Sequence, residues 1–217
     1  MLLRKDLPSA KDARVYLSVE RVFLGYIKLS LYSLSLAILL DKLQIISDLT
    51  QKIHLHFQMH YIILVSSLFS ILILLVGMVI FYSDVKYLEG GLEVAPKETT
   101  DPRIYMASER TMLAWVRTAI ALIVFGFVIE KFEFFLLQLE QIFNIHTKSE
   151  HKGLFGVGIL IIILGLITLT IGVLNFYSTV KKVDTGYYRT NIKLYITYGF
   201  IILLVCLILT AYILRIV

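Results

Sequence analysis

The sequence predicts an all-α integral membrane protein with five transmembrane helices and a parallel internal repeat. Two observations on composition support this fold class: the mean hydropathy is +0.82, and apolar residues make up 58% of the chain against 17% charged residues. The third is a set of five separate apolar segments, each about as long as the roughly 20 residues that a bilayer-spanning helix requires. A soluble domain of 217 residues rarely carries so much apolar surface with so little to cover it.

Helices are the expected form of these segments, because lipid offers no hydrogen-bonding partner to unpaired backbone groups. The segments also lack the alternation of period two that is typical of β-barrel strands. The predicted spans are Val22–Leu40, Tyr61–Tyr82, Thr111–Ile129, Leu154–Tyr177 and Ile192–Leu214. Amphipathic segments follow the first and third spans, at 43–57 and 132–145. They either lie flat in the membrane interface or extend the spans beyond it.

Basic residues in the connections predict the orientation. The side that holds the N-terminus carries 15 of the 21 Lys and Arg residues, and the other side carries six. We therefore expect a cell-membrane protein with its N-terminus in the cytoplasm and its C-terminus outside. The first residues contain no apolar core of a signal peptide, so insertion is expected to depend on the first internal span.

An internal repeat appears when the sequence is shifted by 89 positions. DARVYLSVERVFLGYIK, from Asp12, then aligns with DPRIYMASERTMLAWVR, from Asp101. A further slip of six residues aligns FYSDVKYLEGG with FYSTVKKVDTG. Because each unit has two spans, both copies point the same way, unlike the inverted repeats of many transporters. The first copy is predicted to cover residues 1–93 with two spans, and the second to cover residues 94–217 with three.

Basic residues recur at intervals of seven near the start of both copies. Seven residues at 100° each return to nearly the same face of a helix, so each set forms one stripe. The second stripe consists of Arg103, Arg110 and Arg117, and the first stripe consists of Arg14, Arg21 and Lys28. A cation in the hydrocarbon core costs about 2.5–3.5 kcal/mol on insertion scales, so the inner members should face protein, water or an anion.

Three interpretations of the stripes remain open at this point. The cations either reach lipid head groups and orient the protein, as Lys and Arg often do at helix ends, or they pair with Glu20 or Glu109 of the neighbouring copy and hold the bundle together. In the third interpretation they line an anion path, since rings of Arg or Lys favour anions and phosphates in pores. The second and third interpretations are compatible.

The segment RIYMASERTMLAWVRTAIALIVFGFVIEKF resembles the signature of the YidH-like family of small bacterial membrane proteins. The resemblance implies that the membrane is a bacterial inner membrane. The family pattern is an Asn/Ser-Glu-Arg-Thr-x-Leu-Ala/Ser-Trp run followed by a long apolar helix. The positions that fit it are Ser108, Glu109, Arg110, Thr111, Leu113, Ala114, Trp115, Arg117 and Thr118. The resemblance extends from Asp101 to about Leu214, whereas the first copy is degenerate, with Val19, Val22, Gly25 and Tyr26 replacing the Ser, Thr, Ala and Trp.

The resemblance implies a link to polyphosphate. The same domain forms the membrane part of the fungal vacuolar transporter chaperone complex, a polyphosphate polymerase and translocase, in which several such domains form a ring lined with basic residues. Arg110 and Arg117 are the positions here that best match those residues. This chain lacks the soluble phosphate-binding and polymerase domains of the larger fungal subunits, so any polyphosphate synthesis would require another protein.

These observations predict a multi-pass channel-like subunit with a basic stripe for anions, phosphate or polyphosphate among them. It is expected to be a homo-oligomer or to assemble with another membrane protein. The alternative is a structural or regulatory membrane anchor of a larger complex. No enzyme activity, cofactor or nucleic-acid partner is expected, because the sequence has no Gly-rich phosphate loop, no paired intramembrane carboxylates and no soluble basic domain.

Small residues at helical spacing predict helix packing, because they let two helices approach closely. These residues are Gly158, Gly165 and Gly172 in the fourth span, with Ser70 and Gly77 in the second. No metal site is predicted from His54, His56, His60, His146 and His151, since no cysteine or carboxylate completes a ligand set. Tyr16, Tyr105, Trp115 and Tyr195 are typical of an interfacial aromatic belt, or alternatively of a surface on which a ligand stacks.

Overall fold

Five long α-helices account for most of the residues that the computed structural model describes, which are 12–50, 56–90, 102–143, 155–184 and 188–214. The helices are α1 (Ala13–Thr50), α2 (His56–Glu89), α3 (Pro102–Phe143), α4 (Phe155–Asp184) and α5 (Ile192–Ile213). Each is long and apolar enough to cross a membrane, and each corresponds to one predicted span. The described residues contain no β-strand. The boundary predicted between residues 93 and 94 lies outside the described ranges.

Local sequence explains where α1 and α3 begin. The Asp12 side chain accepts a hydrogen bond of 2.9 Å from the backbone N–H of Arg14, and its carbonyl accepts from the N–H of Val15 at 3.1 Å. Asp12 therefore satisfies N–H groups that have no partner inside the helix. α3 begins at Pro102, since proline is tolerated in the first turn.

α1 and α3 continue without interruption past their apolar segments. α1 ends at Thr50 and α3 at Phe143, so the described parts of both amphipathic segments extend the membrane helices. Of the two arrangements that the sequence allows, the structure therefore has the continuous one. Since a helix rises 1.5 Å per residue, a helix of this length exceeds the roughly 30 Å of a bilayer core.

Helix directions follow from the order of contacts. Ser33 of α1 contacts Ser66 of α2, whereas Phe23, earlier in α1, contacts Phe81, later in α2, so these helices are antiparallel. α3 and α4 are antiparallel by the same criterion, because Gly126 meets Gly158 and the earlier residue Trp115 meets the later residue Gly172.

The two helix pairs join along α1 and α3, and α5 packs against the junction. The Thr111 hydroxyl of α3 donates a hydrogen bond of 3.2 Å to the Leu17 carbonyl of α1. The later residues Tyr32 of α1 and Val124 of α3 line one cavity, so α3 runs parallel to α1. α5 runs parallel to α1, since Tyr195 contacts Glu20 and the later residue Cys206 contacts Ser30. The N-terminal ends of α1, α3 and α5 consequently lie at one end of the bundle, which we call the basic end.

Candidate functional site

The parallel packing of α1 and α3 brings the two basic stripes side by side. Both stripes start near the N-terminal ends of their helices, and these ends are neighbours in the bundle. At the outermost level, Arg14 forms an ion pair of 2.8 Å with Asp12. Arg103 is exposed in the first turn of α3. We call the line along which the stripes meet the basic seam.

At the middle level, Arg21 and Arg110 lie close enough for their like charges to act on each other. Arg110 is exposed, whereas Arg21 is half-buried. The Nε atom of Arg21 is buried and has no hydrogen-bond partner among the described residues. Because like charges repel, an anion bound between Arg21 and Arg110 would be favoured at this level of the seam.

At the innermost level, Lys28 and Arg117 line one cavity of about 330 Å³ between α1 and α3. The Lys28 ammonium also lies 5.6 Å from the centre of the Tyr32 ring. Beyond the two cations the lining is mostly apolar and includes Val124 and Val128. We call this cavity the seam groove. α1 and α3 are the only described helices that line it.

The two glutamates of the stripes have opposite environments. Glu20 is fully buried, and its two carboxylate oxygens accept hydrogen bonds of 2.7 Å from the hydroxyls of Tyr188 and Tyr195. A buried carboxylate requires such donors, because burial without them is costly. Glu109 is exposed. Within the described part of the chain, neither glutamate forms an ion pair with a stripe cation.

The Tyr195 hydroxyl is the centre of a buried polar network. It donates to Glu20 and accepts hydrogen bonds from Trp115 Nε1 at 3.3 Å and from Asn175 Nδ2 at 3.1 Å. The Tyr195 ring also packs against Phe81, with 5.3 Å between ring centroids. These contacts bring all five helices to one residue, because the five side chains belong to α1, α2, α3, α4 and α5.

Two residues that precede α5, Tyr188 and Arg189, are held at the basic end by one contact each. Burial raises the pKa of the Tyr188 hydroxyl above its usual range, and the adjacent Glu20 charge raises that pKa further. Arg189 forms an ion pair of 2.6 Å with Glu89 of α2, and the hydrogen bond from this pair raises the pKa of Arg189. Tyr188 therefore remains a hydrogen-bond donor to Glu20 at neutral pH.

The small residues of the predicted packing set all lie at helix contacts. A Cβ atom on Gly77 would lie 2.6 Å from Tyr26 Cβ, and one on Gly172 would lie 2.6 Å from Trp115 Cβ. A Cβ on Gly165 would lie 3.1 Å from the carbonyl oxygen of Ala119.

The other two residues of the packing set, Gly158 and Ser70, also lie at helix contacts. A Cβ on Gly158 would lie 2.9 Å from the Gly126 carbonyl oxygen. Ser70 Oγ donates to the Ser30 carbonyl at 2.9 Å. Larger side chains at these glycines would separate the helices.

The structure corrects the expectation of an interfacial aromatic belt. Tyr16, Trp115 and Tyr195 are buried in the bundle, so their position reflects packing rather than contact with the membrane surface. Tyr105 donates a hydrogen bond to Asp184. Sequence reasoning missed Asn175 as a member of the Tyr195 network. A polar side chain near the end of an apolar span was the signal that could have identified it.

Two of the five histidines fall within the described residues, and both lie at the start of α2. His60 is exposed in α2, and His56 lies in the first turn of that helix. His54, His146 and His151 lie outside the described residues. Within the described ranges, no three His, Cys, Asp or Glu side chains form a group that could hold a metal ion.

These features define a multi-pass helical membrane protein with two basic stripes along one helix junction. Residues 103–182 match a sequence family described as a domain of unknown function, DUF202. This match agrees with the resemblance to the YidH-like family, which is related to DUF202. It comprises α3 and most of α4 and stops before α5, whereas the resemblance suggested a match to about Leu214. No curated protein and no solved structure matches the chain.

Proposed function

We propose that the protein is an anion-binding membrane subunit, and that assembly encloses the basic seam to form an anion path. The observation that carries this proposal is the meeting of the stripes: Lys28 and Arg117 line one cavity. At the next level, the charges of Arg21 and Arg110 act on each other. Successive cations along one line are how anion-selective pores concentrate their substrate.

The need for assembly follows from the position of the seam. Arg110 and Arg117 are exposed on the single chain, and neither forms an ion pair or hydrogen bond with another described residue. Since a cation facing hydrocarbon costs about 2.5–3.5 kcal/mol, covering Arg117 with a second copy or another membrane protein removes this cost. The partner of this assembly is a further copy of the chain or a different membrane protein.

Polyphosphate or phosphate is the anion class that the family resemblance favours. Arg110 and Arg117 lie within the segment that matches DUF202, on α3. The excess of Lys and Arg at the basic end supports an orientation with the N-terminus in the cytoplasm of a bacterial cell and the C-terminus outside. An anion would then enter the seam from the cytoplasmic side, where cellular phosphates are found.

The proposal includes duplication of one helical module within the chain. Its support is that aligned positions make corresponding contacts: Gly77 touches Tyr26 in the first pair, and Gly172 touches Trp115 in the second. Tyr26 and Trp115 are 89 residues apart, which is the shift that aligns the first helices of the two copies. Two copies of one module would explain why both stripes reach the same depth.

The alternative function is a structural or regulatory anchor without conduction. The exposure of Arg110 and Arg117 on the single chain favours this alternative, because exposed cations near a helix end also bind head groups. The two functions differ in their dependence on Arg117. An anchor tolerates its neutralisation once the protein is inserted, whereas an anion path does not.

The test is anion flux in liposomes that contain the purified full chain. Inorganic phosphate and short-chain polyphosphate are the probes, and Arg117→Glu is expected to lower flux by about tenfold or more, a change in barrier of roughly 1.4 kcal/mol. Lys193→Glu is the matched control, since Lys193 is an exposed cation at the start of α5, away from the seam. It should leave flux unchanged.

Two outcomes would count against the path. One is the absence of phosphate and polyphosphate flux from the wild type, with or without a co-purifying membrane partner. The other is equal flux in the wild type and in Arg117→Glu, when both insert and assemble alike. The anchor would be supported if the wild type carries no flux and if Arg117→Gln is as stable as the wild type and assembles in the same way.

A further inference from the structure

We infer that the seam groove binds one anionic phospholipid, whose phosphate lies between Lys28 and Arg117 and whose acyl chain follows the apolar wall of α3. This inference uses the innermost level of the same stripes as the proposed function, and it does not require conduction. Its basis is the uneven lining of the groove. Two cations lie at the end nearer the helix N-termini, and apolar side chains continue away from them.

The charged end fits a lipid phosphate. Side chains on an α-helix lean towards its N-terminus, so Lys28 and Arg117 both lean towards the basic end of the bundle. Arg binds phosphate oxygens through a planar pair of donors, and Lys adds a compact charge. The Lys28 ammonium, 5.6 Å from the centre of the Tyr32 ring, is kept beside the groove by that ring.

The apolar end fits the first part of an acyl chain. Val124 and Val128 follow Arg117 by seven and eleven residues, which places them about 10 and 16 Å further along the axis of α3. The groove volume of about 330 Å³ is near the lower limit of ligand sites, which is roughly 300 Å³. It therefore holds a phosphate and the start of one chain, while the rest of the lipid stays in the bilayer.

A lipid explains the lining better than a free phosphate does. A free anion would contact the two cations and leave the apolar wall unfilled. The wall also opens to the outside of the bundle, since Tyr32, Ile120 and Val124 are each 53–54% exposed. On the chain before assembly this opening faces the surrounding lipid, so an acyl chain reaches the groove laterally without crossing water.

The surrounding charge selects an anionic head group. Arg21 and Arg110 lie seven residues before Lys28 and Arg117, on the side where the head group would extend. Four cations within two turns repel the ammonium of phosphatidylcholine or phosphatidylethanolamine. The uncharged glycerol of phosphatidylglycerol carries no such penalty, and anionic lipids are attracted by juxtamembrane basic clusters generally.

The experiment measures lipid retained by the full chain in native mass spectrometry. Protein is equilibrated in mixed micelles with equal phosphatidylglycerol and phosphatidylcholine, and one phosphatidylglycerol per chain is expected on the wild type. Lys28→Gln combined with Arg117→Gln is expected to lower that occupancy about tenfold, the effect of roughly 1.4 kcal/mol. Lys193→Gln removes one exposed cation away from the groove and should retain the lipid.

A second variant separates the groove from simple charge attraction. Val124→Trp leaves every cation in place and fills the apolar wall, so bound phosphatidylglycerol should fall to the level of the double variant. Val128→Trp serves the same purpose if Val124→Trp does not fold, as judged by circular dichroism and size-exclusion chromatography. Unchanged retention in a folded filled variant would mean that the cations alone attract the lipid, which overturns the groove site.

The remaining outcomes distinguish this inference from the proposed function. Equal retention of both lipids, or retention that the double variant does not change, overturns the lipid site. Binding of inorganic phosphate to the wild type without retained phosphatidylglycerol also overturns it, and leaves the anion path standing. Selective phosphatidylglycerol retention that is lost in both variants supports the lipid site, even where liposomes show no anion flux and the proposed path fails.

Discussion

The two antiparallel helix pairs make close contact by different chemistry. In α1 and α2, Ser33 Oγ donates to the Ser66 carbonyl and Ser66 Oγ donates to the Ser33 carbonyl, both at 2.8 Å. In α3 and α4, Gly126 and Gly158 meet backbone to backbone, and a Cβ on either would lie under 3 Å from the other's carbonyl oxygen. At these contacts, hydrogen bonds join the first pair, whereas the second pair packs closely because neither glycine has a side chain.

Because of this difference, we expect the stability of the two helix pairs to respond differently to substitution. Hydrogen bonds between membrane helices contribute about 0.6 kcal/mol each on average. Inserting atoms into a closed packing contact costs about 1–3 kcal/mol or more. Each substitution in the serine pair should consequently cost little stability, whereas a single larger side chain in the glycine pair should cost much more. α3 and α4 also form most of the segment that matches DUF202.

The largest effect is expected for Gly126→Leu. Its side chain would overlap the Gly158 carbonyl oxygen and the backbone of Ile162, so α3 and α4 must separate. We expect a loss of about 3 kcal/mol or more, measured as thermal unfolding in detergent micelles followed by circular dichroism. Gly25→Leu is the control, because a Cβ on Gly25 has no neighbour within 4 Å. Similar melting of both variants would contradict the packing argument.

The next largest effect is expected when the buried one of the two aligned glutamates, Glu20, is replaced by Gln. Glu20→Gln replaces one carboxylate oxygen by an amide group, which cannot accept the hydrogen bond that Tyr188 or Tyr195 donates. The expected loss is about 2 kcal/mol, the range for a buried group left without its partner. Glu109→Gln should cost nothing measurable, because Glu109 is exposed. Equal unfolding temperatures for the two variants would show that the hydrogen bonds of Glu20 in the Tyr195 network do not stabilise the fold.

A smaller effect is expected in the serine pair. Ser33→Ala and Ser66→Ala should each cost about 0.6 kcal/mol, and the double variant should show coupling between them. Thr170→Ala is a suitable control, since Thr170 is exposed and, among the described residues, its hydroxyl bonds to the Leu166 carbonyl of its own helix. Strictly additive losses in a double-mutant cycle would show that the two hydroxyls do not act together.

The smallest effect is the pH dependence of stability that arises from the hydrogen bond of Tyr188 to Glu20 of α1. Because the pKa of Tyr188 is raised in the folded protein, the unfolded chain loses this proton first, near pH 10. The stability that Tyr188 contributes is therefore fully present well below pH 10 and is lower by about 0.4 kcal/mol at about pH 10.

Melting curves between neutral and alkaline pH test this sign. Tyr188→Phe should be less stable than the wild type at pH 8 and should lose less stability on going to about pH 10. Tyr177→Phe is the matched control, since Tyr177 is 73% exposed and should keep the wild-type pH dependence. A steeper alkaline loss in Tyr188→Phe would contradict the assignment.

The membrane fold could be predicted from sequence because its causes are local. A span must be apolar along its own length to enter lipid, so hydropathy alone identified all five helices. A seven-residue interval places basic residues on one helix face whatever the helix packs against. For the same reason, the sequence indicated which glycines and serines would permit close approach.

The environment of each stripe residue was decided by tertiary structure. Glu20 and Glu109 occupy aligned positions in similar motifs, yet α5 covers Glu20 and leaves Glu109 exposed. Trp115 and Tyr195 carry polar groups near the basic end, which suggested the membrane interface, and only the crossing of the helices buries them. Burial depends on which helices become neighbours, and neighbours far apart in sequence leave no local pattern.

By itself, the sequence determined that the chain has five helices long and apolar enough to cross a membrane, and that the first and third of them each begin with three cations on one face. Only the tertiary structure decided that the two stripes meet, because parallel packing of α1 on α3 brings Lys28 and Arg117 to one cavity. The physical reason is the range of the interactions. Insertion into lipid acts on each segment separately, whereas the seam depends on contacts between helices almost ninety residues apart.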